Sequence, residues 1–119
     1  MEKIECHKGK TIFKKGDAAN GLYIVGTGAV GIYFPTNIMM EKPDIILKKN
    51  AIFGEMGVID TAPRMATAKA IDESIVLFVS KAEFEERLGQ SDTIVRGVLA
   101  ILSERLRDIQ IKQIKQIKR

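Results

Sequence analysis

The chain has no tryptophan, one cysteine, one histidine and only three prolines in 119 residues. A single thiol, Cys6, leaves no internal disulfide, so the fold must rest on its own core, and a reducing cytoplasm is the expected setting. Cys6 and His7 are two neighbouring ligands with no others to join them, which does not close a tetrahedral metal site. With no metal cluster and no nucleophile–base pair, nothing in the sequence points to catalysis, and the chain reads as a non-enzyme. No run approaches the roughly 18 apolar residues of a membrane span. The opening MEKIECHKGK lacks the apolar core of a signal peptide.

What remains is ordinary globular material, 45% hydrophobic and 29% charged, long enough for one domain with a real core. The net charge of +4 is unevenly spread. From Arg105 onward, Arg105, Arg107, Lys112, Lys115, Lys118 and Arg119 oppose only Asp108, so the tail carries +5 and the rest of the chain −1. Such a tail reads as a solvated helix end whose cations complement the helix dipole; non-specific contact with nucleic-acid phosphates is the competing reading.

Short β-branched and aromatic runs separated by turn residues predict strands at Ile4–His7, Thr11–Phe13, Gly21–Val25, Ala29–Phe34, Asp44–Lys48, Met65–Ala70 and Ile75–Val79. Gly26-Thr27-Gly28 is expected to turn the third run into a hairpin with the fourth. Two phosphate-loop motifs fail on context. Gly9-Lys10-Thr11 lacks the earlier glycine of a Walker A loop, since position 4 is Ile4, and no helix follows. Gly26–Gly31 spells G-x-G-x-x-G, but Ile32-Tyr33-Phe34-Pro35 continues as strand where a dinucleotide site needs a helix. Lys15-Gly16-Asp17 is a turn, and Asn50 suits a left-handed turn before residue 53. Ile38-Met39-Met40 is apolar for a loop, either folded back on the body or a contact surface. Ser80 with Glu83 forms a capping box opening a helix that Gly89 ends, and Ser91 is expected to cap the last helix. Leu99, Leu102, Leu106 and Ile109 then follow a coiled-coil seam that shifts to Ile111, Ile114 and Ile117.

The informative stretch is Phe53–Ala70, FGEMGVIDTAPRMATAKA. Gly54-Glu55-Met56-Gly57 opens a short apolar turn, Asp60–Pro63 reverses the chain, and Arg64 follows at once. Close-approaching backbone and one arginine together make an anion site, to which Arg64 adds a planar fork suited to phosphate. Glu55 would repel a phosphate but accepts hydrogen bonds from a neighbouring sugar hydroxyl. The stretch therefore reads as a site for a phosphate joined to a ribose.

The same residues, F-G-E-M-G-V-I-D-T-A-P-R-M-A-T-A, resemble the phosphate-binding cassette of cyclic nucleotide-binding domains. This family includes catabolite activator proteins, regulatory subunits of cyclic-AMP-dependent kinase and cyclic-nucleotide-gated channels. The resemblance extends to Gly9–Phe34, with its Gly-Asp turn, and to the helices after Ser80. It implies one domain over 1–119 that is mainly β, a jelly-roll-type β-barrel (double-stranded β-helix) over about 1–80, with C-terminal α-helices over about 81–119. It implies a regulatory module that binds a cyclic nucleotide, with no other cofactor. Glu55 would accept the ribose 2′-hydroxyl and Arg64 would clamp the cyclic phosphate. Gly54, Met56 and Gly57 would lend backbone groups, and Met65 and Ala66 would line the phosphate. Relatives often carry alanine, serine or threonine after the arginine, and a hydroxyl there helps hold guanine; Met65 has none, which favours cAMP over cGMP. The base is usually covered from the last helix or a partner, and Arg105, Arg107 and Gln110 are the polar candidates. Phosphate capture is expected to pull the short helix inward and repack Met56 and Ile59 against the last helix. Catabolite-activator-like proteins continue into a helix-turn-helix domain, whereas this sequence stops at Arg119, so no sequence-specific nucleic-acid contact is expected. A homodimer through the C-terminal helix is the expected further partner. The alternative function is a ligand-free interaction domain of the same fold, dimerising through Leu99–Ile117.

Overall fold

Alternating side chains place eight short strands in two antiparallel sheets, four strands in each. The computed structural model describes residues 1–58, 62–89 and 93–117. The strands are β1 (Glu2–Cys6), β2 (Thr11–Phe13), β3 (Gly21–Thr27), β4 (Val30–Tyr33), β5 (Ile45–Leu47), β6 (Ile52–Phe53), β7 (Thr67–Ala70) and β8 (Ser74–Ser80). One sheet runs β1-β8-β3-β6 and the other β2-β7-β4-β5. The mainly β expectation holds, but hydrogen bonding defines two separate sheets and no closed barrel among the described residues. The core between them holds Cys6, Phe13, Tyr23, Val25, Val30, Phe53, Ala68, Ala70 and Val76.

The expected hairpin between the third and fourth runs does not form. β3 pairs with β6 and β8, whereas β4 pairs with β5 and β7. The chain crosses between sheets at Gly28, whose φ is +85°. A Cβ there would stand 2.3 Å from Ser74 Oγ. The Ser74 hydroxyl accepts from the Ala29 N–H at 3.1 Å and lies 2.8 Å from the Asp72 carbonyl it can donate to. The period-2 pattern is the same for a hairpin and for a sheet-to-sheet crossing, so only the tertiary partner distinguishes them.

Strand limits also differ from expectation: β1 spans Glu2–Cys6 rather than Ile4–His7, and β3, β4, β5 and β8 shift by one or two residues at their ends. β7 starts at Thr67 rather than Met65, and the two-residue β6 is too short to show a period. Asn50 does take the left-handed conformation, at φ 74°.

The C-terminal third is helical. Ser80 Oγ accepts from the Glu83 N–H at 3.0 Å and opens α1 (Lys81–Leu88). The helix stops at Gly89 as expected, but Gly89 is right-handed at φ −59°, with its N–H bonded to the Glu85 carbonyl. The expected cap Ser91 lies outside the described residues. α2 (Thr93–Ile117) follows. Leu102, Leu106 and Ile109 of the expected seam are exposed, together with Ile94, Val95, Val98 and Ile101. The side chains of Ile114 and Ile117 lie outside the description. Ile38 and Met39 are 85% and 76% exposed, so their loop does not fold back on the body. No helix of the described residues is long and apolar enough to cross a membrane.

The corner between the sheets is testable. Ser74→Ala leaves the buried Ala29 N–H without its acceptor, a cost of about 1–3 kcal/mol. Thermal denaturation should show a midpoint lower by on the order of 5–15 °C. An unchanged midpoint would mean that the corner does not depend on this hydroxyl.

Candidate functional site

The chain leaves β6 through Gly54, whose φ is +68°. A Cβ at that point would come within 2.7 Å of Arg64 Nη1. Glycine is therefore required both by the backbone conformation and by the guanidinium against it. One turn of 3-10 helix, Glu55–Val58, follows. It is seated by Val58, which packs with Leu22 and Val79, while Phe84 of α1 covers the same cluster. The expected contact of the turn with the helices was placed on Met56 and Ile59. Met56 instead lines a cavity, Val58 has the packing role, and Ile59 lies outside the described residues.

Arg64 is only 7% exposed. Its backbone is held by the Gly16–Asp17 turn: the Arg64 N–H donates to the Asp17 carbonyl at 2.9 Å, and its carbonyl accepts from the Gly16 N–H at 2.8 Å. Nη1 donates to the Gly54 carbonyl and Nη2 to the Gly21 carbonyl, each at 2.8 Å. The guanidinium lies 4.4 Å from the centre of the Phe13 ring and 5.6 Å from that of Tyr23, within cation–π range. Nε is buried with no hydrogen-bond partner among the described residues. Burial pulls the guanidinium below its ordinary pKa range, against the upward pull of Tyr23, Glu55 and Asp17. Burial likewise raises the Tyr23 phenol, opposed by Arg64.

These groups border a cavity of about 230 Å³, several times the roughly 30 Å³ share of one water. Gly54, Glu55, Met56, Arg64, Met65 and Ala66 line it, and Gly57 lies in the helical turn. Phe34, Ile45, Leu47 and Ile52 form an apolar wall. Sequence reading did not find that wall, since three of its four residues come from edge strands β5 and β6. The carbonyl of Gly21 and the turn at Asp17 were also missed as supports of Arg64, because both contacts span more than forty residues. Of the three residues proposed to cover the base, Arg107 lines the cavity, with Nη1 3.3 Å from Met65 Sδ. Arg105 is exposed, and the side chain of Gln110 lies outside the description. Two cations and one carboxylate around a largely apolar hole suit a small organic anion carrying hydroxyl groups.

Residues 3–91 match the profile of the cyclic nucleotide-binding domain. The chain belongs to the cyclic nucleotide-binding domain family. It is 27% identical over 105 residues to the cyclic AMP receptor protein of Thermus thermophilus, a match covering 88% of this chain and 49% of that protein. A CRP-like cAMP-activated global transcriptional regulator of Mycobacterium tuberculosis is 25% identical over 107 residues, covering 90% of this chain and 48% of the regulator. The cAMP-bound form of the EAL enzyme Bd1971 superposes with a TM-score of 0.79 at 36% identity, covering 98% of this chain and 31% of that one. The cGMP-bound form of the same enzyme superposes at 0.77 and 34% identity. This cyclic nucleotide-binding domain thus spans about half the length of the curated relatives it matches. Because one of them is a transcriptional regulator, the expectation of no sequence-specific nucleic-acid contact draws no support from the relatives.

The double use of Arg64 has a measurable consequence without any ligand. Arg64→Ala leaves the buried Gly21 carbonyl unpaired, at about 1–3 kcal/mol, and removes the cation from the Phe13 ring. The thermal midpoint of the ligand-free protein should fall by on the order of 5–15 °C. A midpoint equal to wild type would show that Arg64 has no structural share.

Proposed function

We propose that this domain is a non-catalytic regulatory module that captures a purine cyclic mononucleotide, cAMP on the reading of Met65, between Arg64 and Glu55. The observation that carries the proposal is the Arg64 guanidinium, more than nine-tenths buried at the cavity wall with its Nε unpartnered among the described residues. A buried donor without a partner costs free energy that an incoming phosphate oxygen recovers. Glu55 then takes a ribose hydroxyl, the backbone of Gly54, Met56 and Gly57 supports the turn, and Met65 and Ala66 flank the phosphate. The apolar wall takes the base. The two-sheet strand order supports the jelly-roll arrangement that the family resemblance implies, and the lone Cys6 supports a reducing, cytoplasmic setting.

The response is proposed to run through Val58. Ligand at Glu55 and Met56 biases the helical turn, and Val58 transmits its position to Phe84 of α1. The ligand shifts the helices only by its differential affinity for the two arrangements. What the helices act upon belongs to the whole protein.

A thermal-shift series tests the proposal. cAMP at about 100 times its Kd should stabilise the protein by about 2.7 kcal/mol, a rise on the order of 10 °C, while 5′-AMP should give far less. Because Arg64 is also structural, Glu55→Ala is the cleaner control: it should fold normally and lose most of the shift. No shift from cAMP or cGMP at millimolar concentration would remove the sensor reading.

One observation favours the second reading, a dimerisation domain: the exposed apolar stripe of α2, at Val95, Val98, Leu102, Leu106 and Ile109. It follows the three-and-four spacing of a helix pair. Sedimentation should then give a dimer that Leu102→Glu converts to monomer. A wild-type monomer at high micromolar concentration would sink that reading.

A further inference from the structure

β5 lies at the edge of its sheet. One side pairs with β4, and no strand among the described residues covers the other. Its residues Ile45, Ile46 and Leu47 are all apolar. Ile45 is 40% and Ile46 54% exposed, and the exposed apolar tip at Ile38 and Met39 precedes them. The open N–H and C=O groups of such an edge are a template for another strand. Exposed Asp44 and Lys48 flank the strand. Alternation puts Asp44, Ile46 and Lys48 on the outer face, while Ile45 and Leu47 line the cavity. The Asp44 carboxylate accepts from the Phe34 N–H at 2.8 Å and from the Asn37 amide at 3.1 Å, both through Oδ2. Oδ1 is left to meet a cation. Lys48 has no ion-pair partner among the described residues.

We propose that the outer edge of β5 is a self-association surface whose partner is the same edge of a second copy of this chain. Two copies of one edge related by a two-fold axis pair antiparallel, with residues of the same face opposite each other. Centred on Ile46, this pairing sets Ile46 against Ile46, Ile45 against Leu47, and Asp44 against Lys48 of the second copy, twice by symmetry. Moving the centre to Ile45 or Leu47 puts Ile46 opposite Asp44 or Lys48 and loses both ion pairs. Parallel pairing in register would set Lys48 against Lys48. A lysine on an edge discourages pairing in general; here its own strand carries the matching carboxylate, so the charges admit the second copy in one register. The two four-stranded sheets then join as one, with the cavity-lining Ile45 and Leu47 of both copies side by side. Three paired residues form a small interface of the weak, transient class. This surface is separate from the apolar stripe of α2, and the proposal does not rest on the nucleotide reading.

The test uses the full chain carrying Leu102→Glu, so that α2 does not contribute, at millimolar protein. Ile46→Cys on that chain should oxidise in air to a disulfide dimer, because the register sets the two thiols opposite each other. The native Cys6 is buried, and the parent chain measures its background. Lys48→Cys should cross-link more slowly by about tenfold or more, since the same register offsets the two thiols by about 13 Å along the strand. In sedimentation equilibrium the parent should show a reversible dimer. Lys48→Glu, which opposes carboxylates at both ends of the pairing, should weaken it by about tenfold or more, and high salt should weaken it as well. Equal cross-linking at the two cysteines would mean collision without register and would overturn the proposal. A dimer indifferent to Lys48→Glu would place association on another surface and overturn it too. So would a parent chain that stays monomeric. Thermal midpoints within a few degrees of the parent would confirm that the variants are folded.

Discussion

A buried guanidinium governs the arrangement of this domain. Arg64 sits where water does not reach it, so its charge must be met by the protein, and two backbone carbonyls and an aromatic face do so. Those carbonyls belong to Gly21 and Gly54, the residues that open β3 and follow β6. The bonds therefore tie the cassette loop to the edge of one sheet. The requirement propagates outward: Gly54 has no side chain because the guanidinium occupies its space, and the Gly16–Asp17 turn faces Arg64 to hold its backbone. A charged group placed this way is costly unless well compensated. Its Nε has no hydrogen-bond partner among the described residues.

Around that point the two ends of the cavity have different chemistry. Arg64, Glu55 and the glycine turn come from one short segment of chain. The apolar wall comes from β5, β6 and Phe34, and Arg107 closes in from α2. The polar end of the cavity is thus local in sequence and the apolar end is assembled from afar. The helices meet this region through Phe84 of α1, which packs with Val58, and through Arg107 of α2 at the cavity.

How much was legible from sequence follows the same division. Gly54, Glu55, Arg64 and Met65 were readable as one cluster because eleven residues carry the glycine turn, the carboxylate and the arginine, and their chemistry needs no distant partner to be recognised. The strands at Thr11–Phe13 and Ile75–Val79 were readable because alternation and β-branched content are local properties. The sheet to which each strand belongs was not. Gly26-Thr27-Gly28 looks like a hairpin turn, and only the hydroxyl of Ser74, 45 residues from Ala29, makes it a corner. Neither the structural share of Arg64 nor the choice of Arg107 over Arg105 could be read, since each depends on which backbone or side chain lies opposite.

Sequence by itself determined the family, because the motif that carries it rests on residue types at short spacing. Tertiary structure alone decided that Arg64 is held by two backbone carbonyls, that Val58 packs in one cluster with Phe84 of α1, and that Arg107 reaches the cavity. Each of these is a contact between segments far apart in the chain, and such contacts are set by packing and burial over the whole molecule, which no local pattern encodes.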